Sequence, residues 1–318
     1  MYLNKIDKEK RYSIFPIKNQ SLWDYYKMVE SQIWIAEEVD LSKDDFNALR
    51  PDEQTYLKNI LAFFTIADGL VIDNLAINFL NEVDILEAQY FYGLQVYGEQ
   101  VHGNGYSLLI DTYIEDSEEK VALFNSMESN VAVKNKARWA EKWIDKGNFA
   151  ERLVAFALVE GLSFSSVFAG VFWFRSRNLM DGLCDMNDFI VRDETSHYEF
   201  ALEMYQNYLK PEYKLSKERI LEMVISCFEV EKEFVNESMP NGLSGLSKGM
   251  MEQYVKFVSD IILNDFGCPT HFTVSNPLDY MNKIGLSNKN NFFERRSGEY
   301  TKVNIPTDTD GMFDDTNF

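Results

Sequence analysis

The sequence predicts a nearly all-α protein, and three observations support that fold class. Long segments show helical patterns of apolar residues, hairpin signals between alternating apolar runs are almost absent, and acids and histidines fall three residues apart. Of the 318 residues, 46% are apolar, so the chain can form a large core. Length alone permits one domain or two.

The predicted helices follow one another along the chain. An irregular arm over residues 1–20 precedes the first helix, residues 22–37, which carries Trp34. Pro51 and the two acids after it begin a long second helix that ends near residue 81. The later helices are predicted over residues 85–113, 118–129, 131–146, 153–174 and 187–209.

The charge and the cysteines exclude several classes of protein. The net charge is −20, with 51 acids against 31 lysines and arginines, so no nucleic-acid partner is expected. Cys184, Cys227 and Cys268 form neither a disulfide framework nor a zinc motif, and they favour a reducing compartment. The start of the chain is too charged for a signal peptide. We therefore expect a cytoplasmic protein.

Residues 153–174 contain a single charged side chain, Glu160. This length and composition would fit a membrane span, but a carboxylate at the bilayer centre is costly. Glycines and serines in the segment also suit close packing between helices. We therefore expect a central helix of the bundle and no membrane partner. Glu160 must then be protonated, paired or bound to a metal.

Two Glu-x-x-His pairs are the strongest functional signal. Glu99 precedes His102 by three residues, and Glu194 precedes His197 by three. A carboxylate and an imidazole at this spacing share one helix face and can bind the same metal ion. Tyr106 follows His102 by four residues, so its phenol is expected beside the first pair.

Each pair is preceded by an acid inside an apolar helix. Asp68 lies 31 residues before Glu99, and Glu160 lies 34 residues before Glu194, which suggests two similar helix pairs facing each other. Four carboxylates and two imidazoles suit two ions of iron or manganese better than zinc. Dimetal-carboxylate bundles use this pattern. The alternative is two ordinary surface helices with solvated Glu and His side chains.

Several segments carry a resemblance to a known family: residues 12–16, 34–43, 61–71, 106–113, 159–161, 192–194 and 291–300. Over nearly its whole length, the chain resembles the small, radical-bearing subunit of class I ribonucleotide reductase, of the eukaryotic and large-DNA-virus type. The resemblance implies a ferritin-like helical bundle with a dimetal-carboxylate site. Ferritins share the metal pattern but have no counterpart of Tyr106 or of the C-terminal tail.

The resemblance implies a role for each metal ligand. One ion would be bound by Asp68, Glu99 and His102, and the other by Glu160, Glu194 and His197. Glu99 and Glu194 are the candidates for bridging the ions. The cofactor would be a pair of iron ions in each chain, and manganese is the alternative.

The resemblance also assigns a radical and its surroundings. Tyr106 would hold the stable tyrosyl radical that remains after the reduced metal centre reacts with oxygen. Phe164, Phe168 and Ile190 match the apolar pocket around this radical. Such a pocket is a physical need, because a phenoxyl radical lasts only where reductants and proton donors are kept away. By position alone, these three residues would be ordinary core residues.

A second set of residues matches a radical-transfer path. Trp34 and Asp193 match a hydrogen-bonded chain that ends at His102, and Arg192 matches a residue near that chain. Tyr300 would be the relay in the tail. By residue type alone, Trp34 is a core tryptophan and Tyr300 an ordinary tail aromatic.

The C-terminal end is expected to be a flexible tail. Residues 288–318 are polar and unsuited to a core, whereas residues 1–287 are expected to form the helical domain. The resemblance implies that the tail docks on the large subunit, with Phe313 and Phe318 as the binding aromatics. A segment that orders on binding is the physical form of such a tether. A homodimer is implied as well.

Four positions depart from the family pattern. Relatives carry bulkier residues at Gly103 and Gly105, a serine at Ala67 and commonly an aromatic residue at Ser163. Two glycines in one helical turn weaken it by roughly 0.5–1 kcal/mol each relative to alanine. We expect these glycines to loosen the radical pocket or to admit a different metal.

The predicted function is to generate an oxidising equivalent, store it and pass it to a large subunit. That subunit would reduce ribonucleotides to deoxyribonucleotides, and this chain alone should reduce nothing. One alternative is a dimetal oxidase or monooxygenase of the same fold, against which Tyr106 and the tail argue. The other is a ferritin-like iron-storage protein, which would form a shell and need no partner.

Overall fold

The fold is described by a computed structural model, which covers residues 2–3, 11–125 and 130–281. Contacts between residues divide the chain into Met1–Leu278 and Asp279–Phe318. The helical bundle belongs to the first of these units. The boundary predicted between residues 287 and 288, and the whole predicted tail, lie outside the described residues.

Ten main helices form the described part of the bundle. They are α1 (Gln20–Glu30), α2 (Pro51–Asn74), α3 (Leu86–Tyr113), α4 (Ser117–Phe124), α5 (Val131–Lys146), α6 (Phe149–Leu158), α7 (Ser165–Ser176), α8 (Asp181–Glu203), α9 (Lys217–Ser238) and α10 (Lys248–Asp265). Three of them run directly into π-helical segments, α2 into Leu75–Phe79, α6 into Val159–Ser163 and α8 into Met204–Tyr208. A short helical turn, Leu80–Glu82, completes the stretch that begins with α2.

The predicted all-α fold class is confirmed. Among the described residues, the only β pairings are two isolated bridges, Leu3 with Leu209 and Leu243 with Leu246. The first predicted helix is wrong beyond Glu30, where α1 ends. Trp34 lies in the connection after α1, where its indole N–H donates a hydrogen bond to the α8 residue Asp193.

Helices α3 and α8 contact each other in the core of the bundle. Helix α3 packs against α1 and α2, and α8 packs against α6 and α7. Helix α6 begins at a capping box in which Asn148 and Glu151 each satisfy a backbone N–H of the other. This start fixes where the chain enters the core, and every residue from Ser165 to Phe174 is buried.

Two helical stretches, Pro51–Glu82 and Phe149–Ser176, are long and apolar enough to cross a membrane by length and composition alone. The most apolar window of the second stretch is 89% buried inside the bundle, and that of the first is 59% buried. Burial of this extent within protein is typical of a core helix. The second stretch therefore has the central position that the sequence predicted.

A buried ion pair supports the π-helical segment after α6. The Nζ atom of Lys136 on α5 donates a hydrogen bond to the backbone oxygen of Ser163, 2.7 Å away. The same ammonium lies 2.6 Å from Oε2 of Glu231 on α9. Both side chains are buried, so each charge depends on the other. The pair joins α5, α9 and the end of the π-helical segment.

The N-terminal arm is held by one carboxylate. Glu87, in the first turn of α3, is fully buried and accepts hydrogen bonds from the backbone N–H of Lys18 at 2.8 Å and the side chain of Asn19 at 2.9 Å. Arg11 pairs with the same carboxylate at 2.5 Å. Burial acts to raise the pKa of Glu87, but these hydrogen bonds outweigh it and lower the pKa to about 2.

Substitution of Glu87 should change how stability depends on pH. Its folded-state pKa of about 2 lies below an unfolded value of about 4.3, so its carboxylate stabilises the fold above the unfolded pKa. That stabilisation is lost as the pH falls towards 2. We expect Glu87→Gln to lower the free energy of unfolding near neutral pH and to flatten its decline in acid. Urea titrations over this range would measure both effects.

The matched control is Glu229→Gln, which neutralises an exposed carboxylate on α9. Its curve of stability against pH should follow that of the unsubstituted protein. Equal curves for Glu87→Gln and the unsubstituted protein would show that this carboxylate does not hold the arm.

Candidate metal centre

Four helices bring the six predicted ligands together in the core. Asp68 comes from α2, Glu99 and His102 from α3, Glu160 from the π-helical segment after α6, and Glu194 and His197 from α8. Each of the six is at most 3% exposed. Their ligand atoms form two groups, each within 4.8 Å: Asp68, Glu99 and His102 in one, and Glu99, Glu160, Glu194 and His197 in the other.

Glu99 and Glu194 each face both histidines. Glu99 places Oε2 3.3 Å from Nδ1 of His102 and Oε1 3.1 Å from Nδ1 of His197. Glu194 places Oε1 3.0 Å from Nδ1 of His102 and Oε2 2.8 Å from Nδ1 of His197. Each carboxylate therefore extends one oxygen to each side of the cluster. This symmetric arrangement is what a bridging carboxylate requires.

The ring of His102 is oriented by a carboxylate behind it. Its Nε2 lies 3.1 Å from Oδ2 of Asp193, and with the proton assigned to Nε2 this nitrogen donates to the carboxylate. In the neutral ring, Nδ1 then turns its lone pair towards Glu99 and Glu194. Burial acts to raise the pKa of Asp193, but the contacts with His102 outweigh it and lower this pKa. Asp193 is thus a charged acceptor that fixes the imidazole.

The pKa shifts in the cluster follow from burial and crowding. Burial first, and the neighbouring carboxylates second, raise the pKa values of Asp68 and Glu160. Burial acts to lower the pKa of His197, but the charges of Glu99 and Glu194 outweigh it and raise the pKa to about 10. Without metal, the cluster therefore balances its charge with protons.

Several polar atoms of this cluster have no hydrogen-bond partner among the described residues. Their positions show whether metal ions fit the cluster. Nδ1 of His102, Oε2 of Glu99 and Oε1 of Glu194 lie close together yet form no hydrogen bond. Both oxygens of Asp68 and Oε2 of Glu160 also lack a partner there. A buried polar atom without a partner costs about 1–3 kcal/mol. Once the histidines have lost their added protons, these converging lone pairs fit shared cations, and oxygen with imidazole ligands suits iron or manganese.

Tyr106 lies beside this cluster in an aromatic environment. Its ring is buried and stacks on Phe64, with ring centroids 4.3 Å apart and planes 4° from parallel. Phe164 and Phe168 both contact Phe64, at centroid distances of 5.8 and 5.7 Å. The Tyr106 hydroxyl has no hydrogen-bond partner in the described part of the chain. Burial, and then the charge of Asp68, raise the pKa of this phenol well above its usual value.

Comparison with known proteins decides the family. The family model described as "Ribonucleotide reductase, small chain" matches residues 11–277. The chain belongs to the ribonucleotide reductase small-chain family. This is a dimetal family whose members act with a large subunit, and the buried cluster here is able to bind metal.

Individual relatives agree with this assignment. The ribonucleoside-diphosphate reductase small chain of Vaccinia virus (strain Ankara) is 45% identical over 306 residues, 95% of each sequence. A ribonucleoside-diphosphate reductase small chain of Arabidopsis thaliana is 44% identical over 305 residues, 95% of this sequence and 91% of its own. The Rnr4 homodimer structure from Saccharomyces cerevisiae matches with a TM-score of 0.78 and 32% identity, covering 89% of this chain and 91% of that one.

These relatives confirm the predicted reductase small subunit and the ferritin-like helical fold. Neither alternative, the separate dimetal oxidase or the iron-storage protein, gains support from them.

The predicted path residues of this small chain form one hydrogen-bonded group. The indole N–H of Trp34 donates to Oδ2 of Asp193 at 2.7 Å, the oxygen that also faces His102. Arg192 lies 3.1 Å from Oδ1 of Asp193 and donates to the backbone oxygen of Gln32 at 2.7 Å. Both carboxylate oxygens of Asp193 are therefore used in holding its neighbours.

Of the remaining predicted site residues, Ile190 is described by the structure and the three in the tail are not. Ile190 is buried on α8, one turn before Glu194. Tyr300, Phe313 and Phe318 lie outside the described residues. Their predicted roles therefore stay predictions.

Sequence reasoning missed two residues that contact the site. Phe64 stacks on Tyr106, and Gln95 places its amide nitrogen 3.4 Å from an oxygen of Glu99 and 3.4 Å from one of Glu160. Both residues lie four positions before a predicted ligand, which puts them on the ligand's own helix stripe. That spacing is the signal in the sequence that marks both residues.

The two glycines before Tyr106 differ in their surroundings. A Cβ at Gly103 would meet nothing within 4 Å, whereas a Cβ at Gly105 would lie 2.8 Å from Sδ of Met186. Met186 is buried, so its side chain occupies the space beside Gly105. Close packing at Gly105 therefore depends on the absence of a side chain, and Gly103 leaves open space on its side of the helix.

Metal binding by the metal-free small chain should release protons. With the pKa of His197 at about 10 and that of His102 also raised, both rings are protonated near neutral pH. A metal ion binds only the deprotonated ligands, so we expect the affinity for manganese(II) to rise with pH. We also expect the protein to release about one proton for each ion that it binds. Calorimetric titrations in buffers of different ionisation enthalpy would count these protons.

Binding without proton release, and with the same affinity at every pH, would contradict this charge balance. The variant Glu229→Ala, which removes an exposed carboxylate on α9, should behave as the unsubstituted protein does.

Proposed function

We propose that this small chain generates an oxidising equivalent, stores it as a radical on Tyr106 and passes it to a large subunit that reduces ribonucleotides. The observation that carries the proposal is the juxtaposition of a six-ligand cluster with a buried phenol that has no partner among the described residues. A storage protein has no use for such a phenol, and a separate oxidase would need its own substrate.

The proposed ligands follow the two groups in the core. Asp68, Glu99 and His102 would bind one ion, and Glu160, Glu194 and His197 the other. Glu99 and Glu194 would bridge, which their equal approach to both histidines supports. We propose iron, since four carboxylates offset most of the charge of two trivalent ions. When bound, two iron(II) ions would supply two of the four electrons that reduce dioxygen, Tyr106 would supply a third, and an external reductant the fourth.

The proposed role of Tyr106 depends on its dry environment. Burial and the nearby carboxylates hold the phenol protonated, so its oxidation must remove a proton together with the electron. The stacked ring of Phe64 and the buried side chains of Phe164, Phe168 and Ile190 would exclude water and reductants from it. Within the described part of the chain, no hydrogen-bond donor reaches the phenol oxygen to quench a radical formed there.

The proposed exit for the oxidising equivalent begins at His102. Asp193 accepts hydrogen bonds from His102 and Trp34 on the same oxygen, which makes a continuous connection from the cluster to the indole. Arg192 holds the other oxygen of Asp193 and so keeps this carboxylate in place. Tyr300 in the tail would continue the path towards the partner.

The tail completes the proposal. Residues 288–318 would dock on the large subunit, with Phe313 and Phe318 as the apolar contacts, while residues 1–287 form the metal-bearing domain. We also propose a homodimer of this chain and a cytoplasmic location, in keeping with its three free cysteines.

Loss of one ligand should empty the centre. Glu160→Ala removes a buried carboxylate whose pKa is already raised by burial and by its charged neighbours, so the metal-free protein should still fold. We expect metal content to fall from about two ions per chain to less than one. Elemental analysis measures this directly, and Glu229→Ala is the control. Full metal content in Glu160→Ala would contradict the ligand assignment.

Removal of the tail should separate radical formation from turnover. Truncation before Met312 should leave the radical yield unchanged and abolish nucleotide reduction with the large subunit. A peptide of residues 312–318 should compete with the intact chain in the same assay. The docking role is wrong if the truncated chain supports full turnover.

Tyr106→Phe should separate a radical store from any other dimetal oxidase. The substitution removes only a hydroxyl, so stacking on Phe64 and metal binding should change little. We expect the tyrosyl-radical signal in electron paramagnetic resonance, and turnover with the large subunit, to vanish.

Tyr300→Phe is the matched comparison for that experiment. It should keep the radical and lose turnover, because the oxidising equivalent then cannot reach the partner. Near-normal turnover in Tyr106→Phe would place the oxidant on the metal ions themselves.

A further inference from the structure

Asp68 and Glu160 are positioned in different ways. Asp68 lies well inside α2, a continuous α-helix of 24 residues, so regular backbone hydrogen bonds fix where its side chain begins. Glu160 lies in the π-helical segment Val159–Ser163, where the helix changes its register. The side chain of Glu160 has little support of its own. Its Oε1 lies 3.4 Å from the amide nitrogen of Gln95, and its Oε2 has no hydrogen-bond partner among the described residues. The position of Glu160 therefore depends on the groups that hold the π-helical segment.

One buried ammonium and one buried carboxylate hold the end of that segment. The Nζ atom of Lys136 donates a hydrogen bond to the backbone oxygen of Ser163 at 2.7 Å, just before α7 begins. Oε2 of Glu231 lies 2.6 Å from the same ammonium. The other oxygen of Glu231 accepts a hydrogen bond from the hydroxyl of Ser166, in the first turn of α7. The ion pair thus contacts the chain on both sides of the join between the π-helical segment and α7.

The helices that carry this ion pair supply none of the six metal ligands. Lys136 on α5 is 4% exposed, and Glu231 on α9 is fully buried. Replacement of a buried ion pair by well-packed apolar side chains is often neutral or stabilising. Stability alone is therefore a weak reason for the pair. Its directed hydrogen bonds to the chain beside Glu160 are a better one.

We propose that Lys136 and Glu231 position Glu160 and so set the affinity of one of the two metal ions. The inference rests on the proposed ligand assignment, in which one ion is bound through Glu160 and the other through Asp68. Loss of the hydrogen bond to Ser163 would let the π-helical segment relax and move the oxygens of Glu160. Because Asp68 lies on a regular α-helix, its ion should depend little on the pair. Groups that hold a ligand from behind commonly change metal affinity in this way.

Two variants separate positioning from stability. Lys136→Met removes the ammonium but keeps a side chain of similar length against the ring of Phe63, whose centroid lies 3.5 Å from Nζ. It leaves the carboxylate of Glu231 buried without its partner, which lowers stability by itself. Lys136→Met/Glu231→Met removes both charges. We expect this double variant to regain most of the lost stability in urea titrations and to keep the metal defect.

Calorimetric titration of the metal-free, full-length chain with manganese(II) measures the two affinities without any assay of activity. The unsubstituted protein should bind about two ions per chain. In Lys136→Met and in the double variant, one affinity should fall by about tenfold or more, and the other should change by less than about threefold. The matched control is Lys232→Met/Glu229→Met, which replaces an exposed ion pair on α9 by the same residue type and should leave both affinities unchanged.

Crystals of the double variant identify the weakened ion. Anomalous scattering from manganese should show high occupancy beside Asp68 and low occupancy beside Glu160. Occupancy that falls equally at both positions, or only beside Asp68, would contradict the inference.

The double variant also decides between positioning and stability. Affinities equal to those of the unsubstituted protein would overturn the inference, because the pair would then act through stability alone. The double variant answers this question even if Lys136→Met fails to fold. Failure of the unsubstituted chain to bind two ions would instead defeat the proposed ligand assignment, and that result is known before any variant is made.

Discussion

The burial of charge at one point of the core is the constraint on which the rest of this structure depends. Four carboxylates and two imidazoles lie together with almost no exposure, where ionised groups are stable only if they are paired. Protons can balance them in part, as the raised pKa values of Asp68 and His197 show. Metal ions balance them more completely, because they also satisfy the lone pairs that no hydrogen bond from the described residues reaches.

The surrounding helices are arranged to hold these groups against their mutual repulsion. Asp193 fixes His102 from behind, and Gln95 lies between Glu99 and Glu160. The π-helical segment that carries Glu160 changes the register of the helix, as such segments often do at functional sites. Lys136 holds the end of this segment. The buried ion pair of Lys136 and Glu231 therefore stabilises the backbone next to the metal ligands.

The sequence predicted the site more completely than its surroundings. Asp68 and Glu160 were recognisable because an acid within an apolar helix needs a reason, and helical spacing then placed the two Glu-x-x-His pairs. The local pattern continues past Glu30 and so predicts a helix at Trp34, whereas this residue in the fold bonds to a residue 159 positions away. Phe64 has no polar feature and is marked only by its position four residues before Asp68, and a cavity beside Ser163 arises only when three helices come together.

Two demands on this core oppose each other, and their separation in space explains much of the architecture. The phenol of Tyr106 needs a dry, closed aromatic surrounding, which Phe64 and its neighbours provide. The metal ligands need the opposite, a group of charged and polar atoms held close together. Helices α2 and α3 each meet both demands one turn apart, because Phe64 lies four residues before Asp68 and Tyr106 lies four residues after His102. The helical turn therefore sets how near the charged ligands come to the dry phenol.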